Sequence, residues 1–207
     1  MKWFRRKKVV SRKRSRKRQL PKVISRAEAQ QLFSKIDTAS PKGKRDYCIA
    51  LLMYRAGLRV GETVALNVRD VDLTEGTIRV YDGKGGDGTA YFDPARVAPH
   101  LAEWLAVRPA WANSQSPLFC KADGSPVSVR YVQRLIKRIK EDLGITGKLT
   151  PHVLRHTFAT ELLQDGFDLR EVQEAVRHAN VSTTEIYTHI HHDQLHRKIT
   201  QRGEVKA

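Results

Sequence analysis

Four side chains in the last third of this sequence are of the types needed for chemistry on a phosphate ester. His152 and Arg155 are three residues apart, His178 lies further on, and Tyr187 follows nine residues after that. Arg59 lies far upstream, in the run AGLRVGE at 56–62. Two arginine forks can bracket a phosphate and neutralise a pentavalent transition state, while imidazoles transfer protons and a phenol attacks. The set predicts cleavage of a phosphodiester.

The nucleophile and the leaving group each need a partner for proton transfer. A tyrosine has a pKa of about 10, so Tyr187 needs a nearby cation or base to lose its proton at neutral pH. The leaving sugar oxygen needs a proton, and Lys84 in a Gly-Lys-Gly turn is the candidate donor. Each feature alone has a structural explanation, such as an ion pair between Arg59 and Glu62. The prediction therefore depends on their combination.

Charge points to a polyanionic partner. The 207 residues suit one domain with a short appendage, and 38 lysines and arginines against 22 acids give a net charge of +16. The first 22 residues hold twelve of these cations and no acid, which suits either a solvated disordered tail or an arm that contacts nucleic acid. We predict DNA contacts from Arg5, Arg6, Lys7, Lys8, Arg12, Lys13, Arg14, Arg16, Lys17 and Arg18.

Several other classes of protein are disfavoured. Cys48 and Cys120 are far apart and form no CxxC pair, so neither a disulfide framework nor a zinc knuckle is indicated. The longest apolar run, residues 48–54, is far shorter than the roughly 20 residues that cross a bilayer. The basic N-terminus leads into no apolar stretch, unlike a signal peptide. We expect a soluble, cytoplasmic protein that does not bind membranes.

Local patterns predict a mainly α-helical fold with a small antiparallel sheet, an α+β class. Ser25 and Glu28 form a capping box that begins a first helix. A second helix follows Pro41 and stops at Gly57, which places Arg59 in or just after a tight turn before a short helix through residue 66. Residues 77–81 and 89–92 predict a hairpin with Lys84 at its tip, and 118–120 predicts a short edge strand.

The second half of the chain predicts further helices. One follows Pro94, and another spans 132–143, where Lys137, Arg138 and Lys140 form either a solvated face or a DNA contact. Thr150 as N-cap begins the helix that bears His152 and Arg155, and a spacing of three puts both on one face. Gly166 ends that helix. Two more helices are predicted from capping pairs. Asp168 with Glu171 begins one, and Ser182 with Glu185 begins the other, which carries Tyr187.

Four runs carry a close resemblance to a known family. They are AGLRVGE at 56–62, GKG at 83–85, PHVLRHTFAT at 151–160 and STTEIYTH at 182–189. Over about residues 25–190 the chain resembles the tyrosine recombinase (phage integrase) family, especially its Xer-like branch. The resemblance implies a tyrosine recombinase catalytic domain over 23–192, between a basic arm at 1–22 and a C-terminal tail at 193–207.

The resemblance also implies an activity, site-specific DNA recombination through a 3'-phosphotyrosyl intermediate, without metal or other cofactor. By this resemblance, Arg59 and Arg155 form the phosphate clamp and Lys84 is the general acid. His152 assists proton transfer and His178 holds the phosphate or the nucleophile. Tyr187 is the nucleophile. Glu62 matches an acidic position that supports the first arginine. The implied partner is double-stranded DNA, bound by a homo-oligomer that forms a tetramer on two paired sites, with the tail docking on a neighbouring subunit.

Two other functions use the same fold. One is a DNA-binding regulator or accessory factor without recombination, which the complete set of catalytic residue types disfavours. The other is a type IB topoisomerase, which the TTEIY wording at 183–187 disfavours. The sequence does not define the target site, nor does it separate integration from excision, inversion or dimer resolution, because base readout depends on side chains placed in a groove.

The chain departs from the family in three places. Only the basic arm precedes the catalytic body, where relatives carry a helical core-binding domain, so the arm replaces that grip, or the protein is a short recombinase, or the chain is a piece of a longer one. The hairpin lacks basic residues after its Gly-Lys-Gly. Arg177 stands where the family commonly has glycine.

A metal site is the remaining alternative. His192 and His196 are four residues apart on a predicted helix, a spacing that zinc can use. The surrounding cluster of His189, His191, His192 and His196 has no clear carboxylate partner beyond Asp193, and the family chemistry needs no metal. We therefore predict none.

Overall fold

The computed structural model describes residues 23–81, 87–109, 113 and 115–177, and these residues are mainly helical. The sheet has three short antiparallel strands, β1 (Val71–Asp72), β2 (Thr77–Val80) and β3 (Gly88–Tyr91). The described helices are α1 (Arg26–Ser34), α2 (Pro41–Arg55), α3 (Val60–Ala65), α4 (Pro94–Val107), α5 (Val129–Asp142), α6 (Pro151–Gln164) and α7 (Leu169–Ala175). The mainly α fold class with a small antiparallel sheet is confirmed.

Helix starts follow the caps in the sequence. The capping box of Ser25 and Glu28 begins α1, the Thr150 hydroxyl accepts from the Val153 amide at the start of α6, and a capping box at 168 and 171 begins α7. Pro41 and Pro94 are the first residues of α2 and α4, not residues before them. A proline at the first helical position loses nothing, because its missing N–H would have no partner in the helix.

The sheet differs from the prediction in two respects. β2 and β3 form the expected hairpin with Ile78 opposite Ala90, but β1 adds a strand that no pattern indicated, with Val71 opposite Ile78. The predicted edge strand at 118–120 is wrong. That segment makes only single bridges, such as Cys120 with Pro126, because it runs through the interior between α4 and α5 and its neighbours do not continue a ladder.

The core is built around α2, which packs mainly against α4 and α6. Ile49, Leu52 and Met53 on α2 are completely buried, together with Leu101 of α4 and Leu154 of α6. A helix buried on most of its surface is held by tertiary packing more than by its own propensity. The buried α2 therefore fixes the position of its own C-terminal end and of α6, and these two elements carry the candidate site.

A second, smaller cluster joins α6 to α7. Ala159 and Leu163 of α6 pack against Val172 and Val176. The end of α7 is thereby held beside α6, next to the site. Among the described helices none is both long and apolar enough to cross a membrane.

Candidate active site

Arg59 is positioned by the turn between α2 and α3. Gly57 adopts a left-handed backbone with φ of 61°, which ends α2. Arg59 is then the residue before α3, and its amide donates to Glu62 Oε2 at 2.7 Å. Its guanidinium returns to the same carboxylate, with Nη1 at 2.5 Å from Oε1. The Glu62 carboxylate therefore accepts hydrogen bonds from both the backbone amide and the side chain of Arg59.

Arg155, on α6, lies beside the same Glu62 carboxylate. Its Nη1 donates to the Gly57 carbonyl at 2.7 Å, and its Nη2 donates to the Val176 carbonyl at the end of α7. Nη1 also lies 3.6 Å from Glu62 Oε2. The side chain is 6% exposed. Arg155 thus ties together the ends of α2 and α7, and the structure brings it to the carboxylate that holds Arg59.

A third arginine completes the cluster. Arg177 follows α7 with a left-handed φ of 51°, and its Nη2 lies 2.7 Å from Glu62 Oε2. Its backbone carbonyl accepts from Arg59 Nη2 at 3.2 Å. The sequence marked Arg177 as a departure from the family but did not place it in the site. Its partner Glu62 is 115 residues away, so no local pattern could have revealed the contact.

The cluster carries a net positive charge. Burial by itself raises the pKa of Glu62, but the hydrogen bond from the Arg59 amide and the charges of Arg177, Arg59 and Arg155 outweigh it, so this pKa lies below its usual value. Three guanidinium groups against one carboxylate leave an excess of two positive charges. The Arg59 side chain is 34% exposed, much more than the other two arginines, so it presents this charge to the surface.

The histidines of α6 lie on its first turns. His152 is exposed, and His156 is half-buried one turn later. Burial lowers the pKa of His156, and the electrostatic effects of the neighbouring His152 and Arg155 lower it further. The predicted placement of His152 on the helix that bears Arg155 is confirmed.

The other sequence-predicted sites fall partly outside the described residues. Lys84, His178 and Tyr187 lie outside the described residues, as do the arm at 1–22 and the histidine cluster at 189–196. The three cations of α5, predicted to form either a solvated face or a DNA contact, are described: Lys137 and Arg138 are exposed, and Lys140 is half-buried. Among the described residues no group of three or more histidine, cysteine or acidic side chains could hold a metal ion.

Two tyrosines in the described part of the chain, the buried Tyr54 and the partly buried Tyr131, are poorly suited to attack. Burial, followed by a hydrogen bond to Glu161, raises the pKa of Tyr54 to about 12. Burial and a hydrogen bond to Asp46 raise that of Tyr131 to about 12 as well. A phenol that resists ionisation is a weaker candidate nucleophile, so these two residues are poor candidates for that role.

The arginine cluster is not in the groove of about 1360 Å³ that lies between α1, α2, α4, α6 and α7. That groove is lined by aromatic residues such as Tyr47, Phe158 and Phe167 and by ion pairs, and neither Arg59 nor Arg155 borders it. Small-molecule substrates normally enter such a concavity. The arginines suit an extended anionic polymer that lies across a surface.

Comparison with known proteins gives consistent results. Residues 22–194 match the phage integrase family. Tyrosine recombinase XerD from Ralstonia nicotianae (strain ATCC BAA-1114 / GMI1000) is 40% identical over 179 residues, which cover 85% of this chain and 58% of that protein. Tyrosine recombinase XerC from Proteus mirabilis is 38% identical over 179 residues, covering 86% and 58%. The chain thus spans less than two thirds of these curated relatives.

Solved structures agree with the sequence relatives. The crystal structure of XerA recombinase aligns with a TM-score of 0.73 at 34% identity, over 89% of this chain and 66% of that one. XerH site-specific recombinase, bound to a palindromic difH substrate in a post-cleavage complex, aligns with a TM-score of 0.73 at 28% identity. That alignment covers 87% of this chain and 53% of XerH.

Proposed function

The chain belongs to the phage integrase family, and from this membership we propose that it is a tyrosine-type site-specific recombinase, which cleaves and rejoins DNA strands through a 3'-phosphotyrosyl intermediate. The observation that carries the proposal is the convergence of Arg59 and Arg155 on one buried carboxylate. These are the two arginines whose sequence motifs predict a phosphate clamp, and they lie 96 positions apart in the sequence.

The electrostatics of the clamp suit phosphoryl transfer. As the attacking oxygen adds to phosphorus, negative charge builds up on the non-bridging oxygens. Arg155 is fixed by two backbone carbonyls and Arg59 by Glu62, so neither guanidinium has to reorganise during the reaction. Fixed donors of this kind commonly supply the largest share of transition-state stabilisation.

The remaining roles follow from the family resemblance. In this proposal the Tyr187 Oη attacks the phosphorus and forms the phosphotyrosyl bond, while the bond to the 5'-oxygen breaks. Lys84 donates the proton that the leaving 5'-oxygen takes. His152 assists proton transfer, and His178 holds the phosphate or the nucleophile. A 5'-hydroxyl of a partner strand then reverses the step, so the energy of the phosphodiester is kept in the covalent bond.

Double-stranded DNA is the proposed partner. The positive cluster, the net charge of +16 and the ten cationic arm residues support it, as does the bound difH substrate in the XerH structure. Residues 23–192 would form the catalytic domain, with the chain acting in the cytoplasm. Four copies would assemble on two paired sites, with the tail at 193–207 docking on a neighbouring subunit.

Covalent capture tests the activity. The probe is a pool of duplexes with a randomised segment ahead of a nick, because cleavage beside the nick releases a short strand and traps the adduct. We expect a denaturant-resistant adduct from the wild-type chain and none from Tyr187→Phe. Tyr91→Phe is the matched control, since Tyr91 is 59% exposed on β3, and it should react like the wild type.

Two results would contradict the proposal. Equal adduct formation by wild type and Tyr187→Phe, including none from either, would exclude the phosphotyrosyl mechanism. Relaxation of supercoiled plasmids without enrichment of any sequence in the captured pool would instead assign a type IB topoisomerase activity.

A further inference from the structure

The backbone at Arg177 has a conformation that arginine rarely adopts. Its φ of 51° lies in the left-handed region, which is unfavourable for a residue with a Cβ and is normally occupied by glycine. Non-glycine residues persist there when their surroundings hold them, often at functional sites. The side chain of Arg177 must therefore make contacts that compensate for this backbone.

These contacts reach two parts of the site. Arg177 Nη2 lies 2.7 Å from Glu62 Oε2, and Nη1 donates to the Ala175 carbonyl at 3.2 Å. Its aliphatic part lies over Gly88, where a Cβ would come within 2.9 Å of Arg177 Cδ. Gly88 is the first residue of β3, the second strand of the β2–β3 hairpin. Arg177 thus bridges α3 and this hairpin.

Both oxygens of Glu62 are engaged by arginines. Oε1 accepts from Arg59 Nη1 at 2.5 Å, and Oε2 accepts from both the Arg59 amide and Arg177 Nη2 at 2.7 Å, while Arg155 Nη1 lies 3.6 Å from Oε2. Arg177 is 12% exposed and Glu62 is 7% exposed, so their contact is shielded from solvent. Arg177 thus adds a second hydrogen bond to Oε2 beside that of the Arg59 amide, which further restrains rotation of the carboxylate and keeps Oε1 directed at the Arg59 side chain.

We propose that Arg177 is a positioning residue for the phosphate clamp, acting on Arg59 through Glu62 Oε2 and through its own backbone carbonyl. The proposal rests on the recombinase function proposed above. It assigns a role to the arginine that replaces the glycine common in the family, and it gives Gly88 a purpose, which is to leave room for that side chain. Arg177 itself is too buried to be a principal DNA contact.

Three variants distinguish a positioning role of Arg177 from effects of its charge and its packing. Arg177→Met keeps an unbranched side chain and most of the packing but loses the ion pair, and Arg177→Lys keeps the charge. Arg170→Met removes a charge from an exposed position on α7 and is the matched control. The measurements are the rate of adduct formation at saturating captured duplex, and the DNA dissociation constant as a function of salt.

We expect Arg177→Met to slow adduct formation about 10- to 100-fold, the size of effect that a misplaced catalytic group produces. Arg177→Lys should recover most of the rate, and Arg170→Met should react like the wild type. The salt slope of binding should stay unchanged, because a lost phosphate contact would lower it by about 0.9. A lowered slope with an unchanged rate would show that Arg177 is an ordinary phosphate contact and would overturn the proposal.

Gly88→Ala provides an independent test of the same geometry. The added methyl group should displace the Arg177 side chain and slow adduct formation when Arg177 is present. In the Arg177→Met background it should slow adduct formation no further, because the effects of substitutions at contacting residues are not additive. Additive effects would overturn the proposal. If the wild-type chain forms no adduct, the recombinase function itself is overturned. If the wild type is active and Arg177→Met forms adduct as fast as Arg170→Met, only the positioning role is overturned.

Discussion

Glu62 takes no part in the proposed chemistry, yet the positions of three arginines depend on it. Its two oxygens contact Arg59 and Arg177, and Arg155 lies 3.6 Å away. Removing one member of such a buried set leaves the others facing uncompensated like charges. The site can be damaged, therefore, by a residue that never touches the substrate.

Glu62→Gln tests this dependence through stability. The amide keeps the shape but loses the charge, so we expect the free energy of unfolding at pH 7 to fall by about 2 kcal/mol, the scale of a hydrogen bond to a charged group. Urea unfolding measures it. Glu141→Gln is the control, because Glu141 pairs with Lys137 on the exposed face of α5, where loss of an ion pair has little effect.

The same variant has a defined pH dependence. The pKa of Glu62 is lowered in the folded state, so its ionised form stabilises the fold above the unfolded value of about 4.3, and this contribution is lost as pH falls through the folded value. The difference between wild type and Glu62→Gln should therefore shrink below about pH 4. A difference that stays constant down to the acid transition would show that the carboxylate charge is not responsible.

Residue types in this site were predictable from sequence where a motif is local. Arg59 and Arg155 each stand in a distinctive run, and Glu62 was expected to support the first arginine. The contact of Arg177 was not predictable, because it joins residues 115 positions apart and depends on a left-handed backbone at Arg177.

At the scale of the elements, the contact between the C-terminal end of α2 and α6 positions these residues. Gly57 ends α2, its carbonyl accepts from Arg155, and its Cα faces Phe158 on α6. A Cβ at this position would lie 2.5 Å from Phe158 Cδ1. The close approach of the two helices and the turn before Arg59 therefore both require glycine.

Gly57→Ala and Gly144→Ala form a matched pair. Both glycines have a left-handed φ, 61° and 63°, but nothing lies within 4 Å of a Cβ at Gly144. Gly144→Ala should cost about 1 kcal/mol from the backbone alone, and Gly57→Ala about 2–3 kcal/mol because a clash is added. Urea unfolding compares them, and equal losses would mean that α6 moves aside without cost.

Element boundaries were predictable where one residue type decides them. Ser25, Thr150 and Asp168 cap helices by hydrogen bonds to amides within three residues, so the signal is local. β1 was missed because a strand of two residues shows no alternation. The segment at 118–120 was misread because an apolar run fits a strand and an interior connection equally well.

At the scale of the whole molecule, the distribution of charge bears on how the proposed recombinase would hold DNA. Residues 1–19 carry eleven lysines and arginines and no acid. Each phosphate contact releases counterions and contributes about 0.9 to the slope of log affinity against log salt. An arm that grips DNA must therefore contribute a measurable part of that slope, whereas a solvated tail contributes almost none.

Deleting residues 1–19 should flatten the salt slope of DNA binding by about 0.9 for each arm cation that contacts a phosphate. Fluorescence anisotropy with a captured duplex at several salt concentrations measures it. An arm of the same length with its eleven cations replaced by glutamine should match the deletion, because charge and not chain length provides the contacts. A scrambled arm of unchanged composition should keep most of the slope. If all four proteins share one slope, DNA is held by the catalytic domain alone, and the surface around Arg59 must supply the grip.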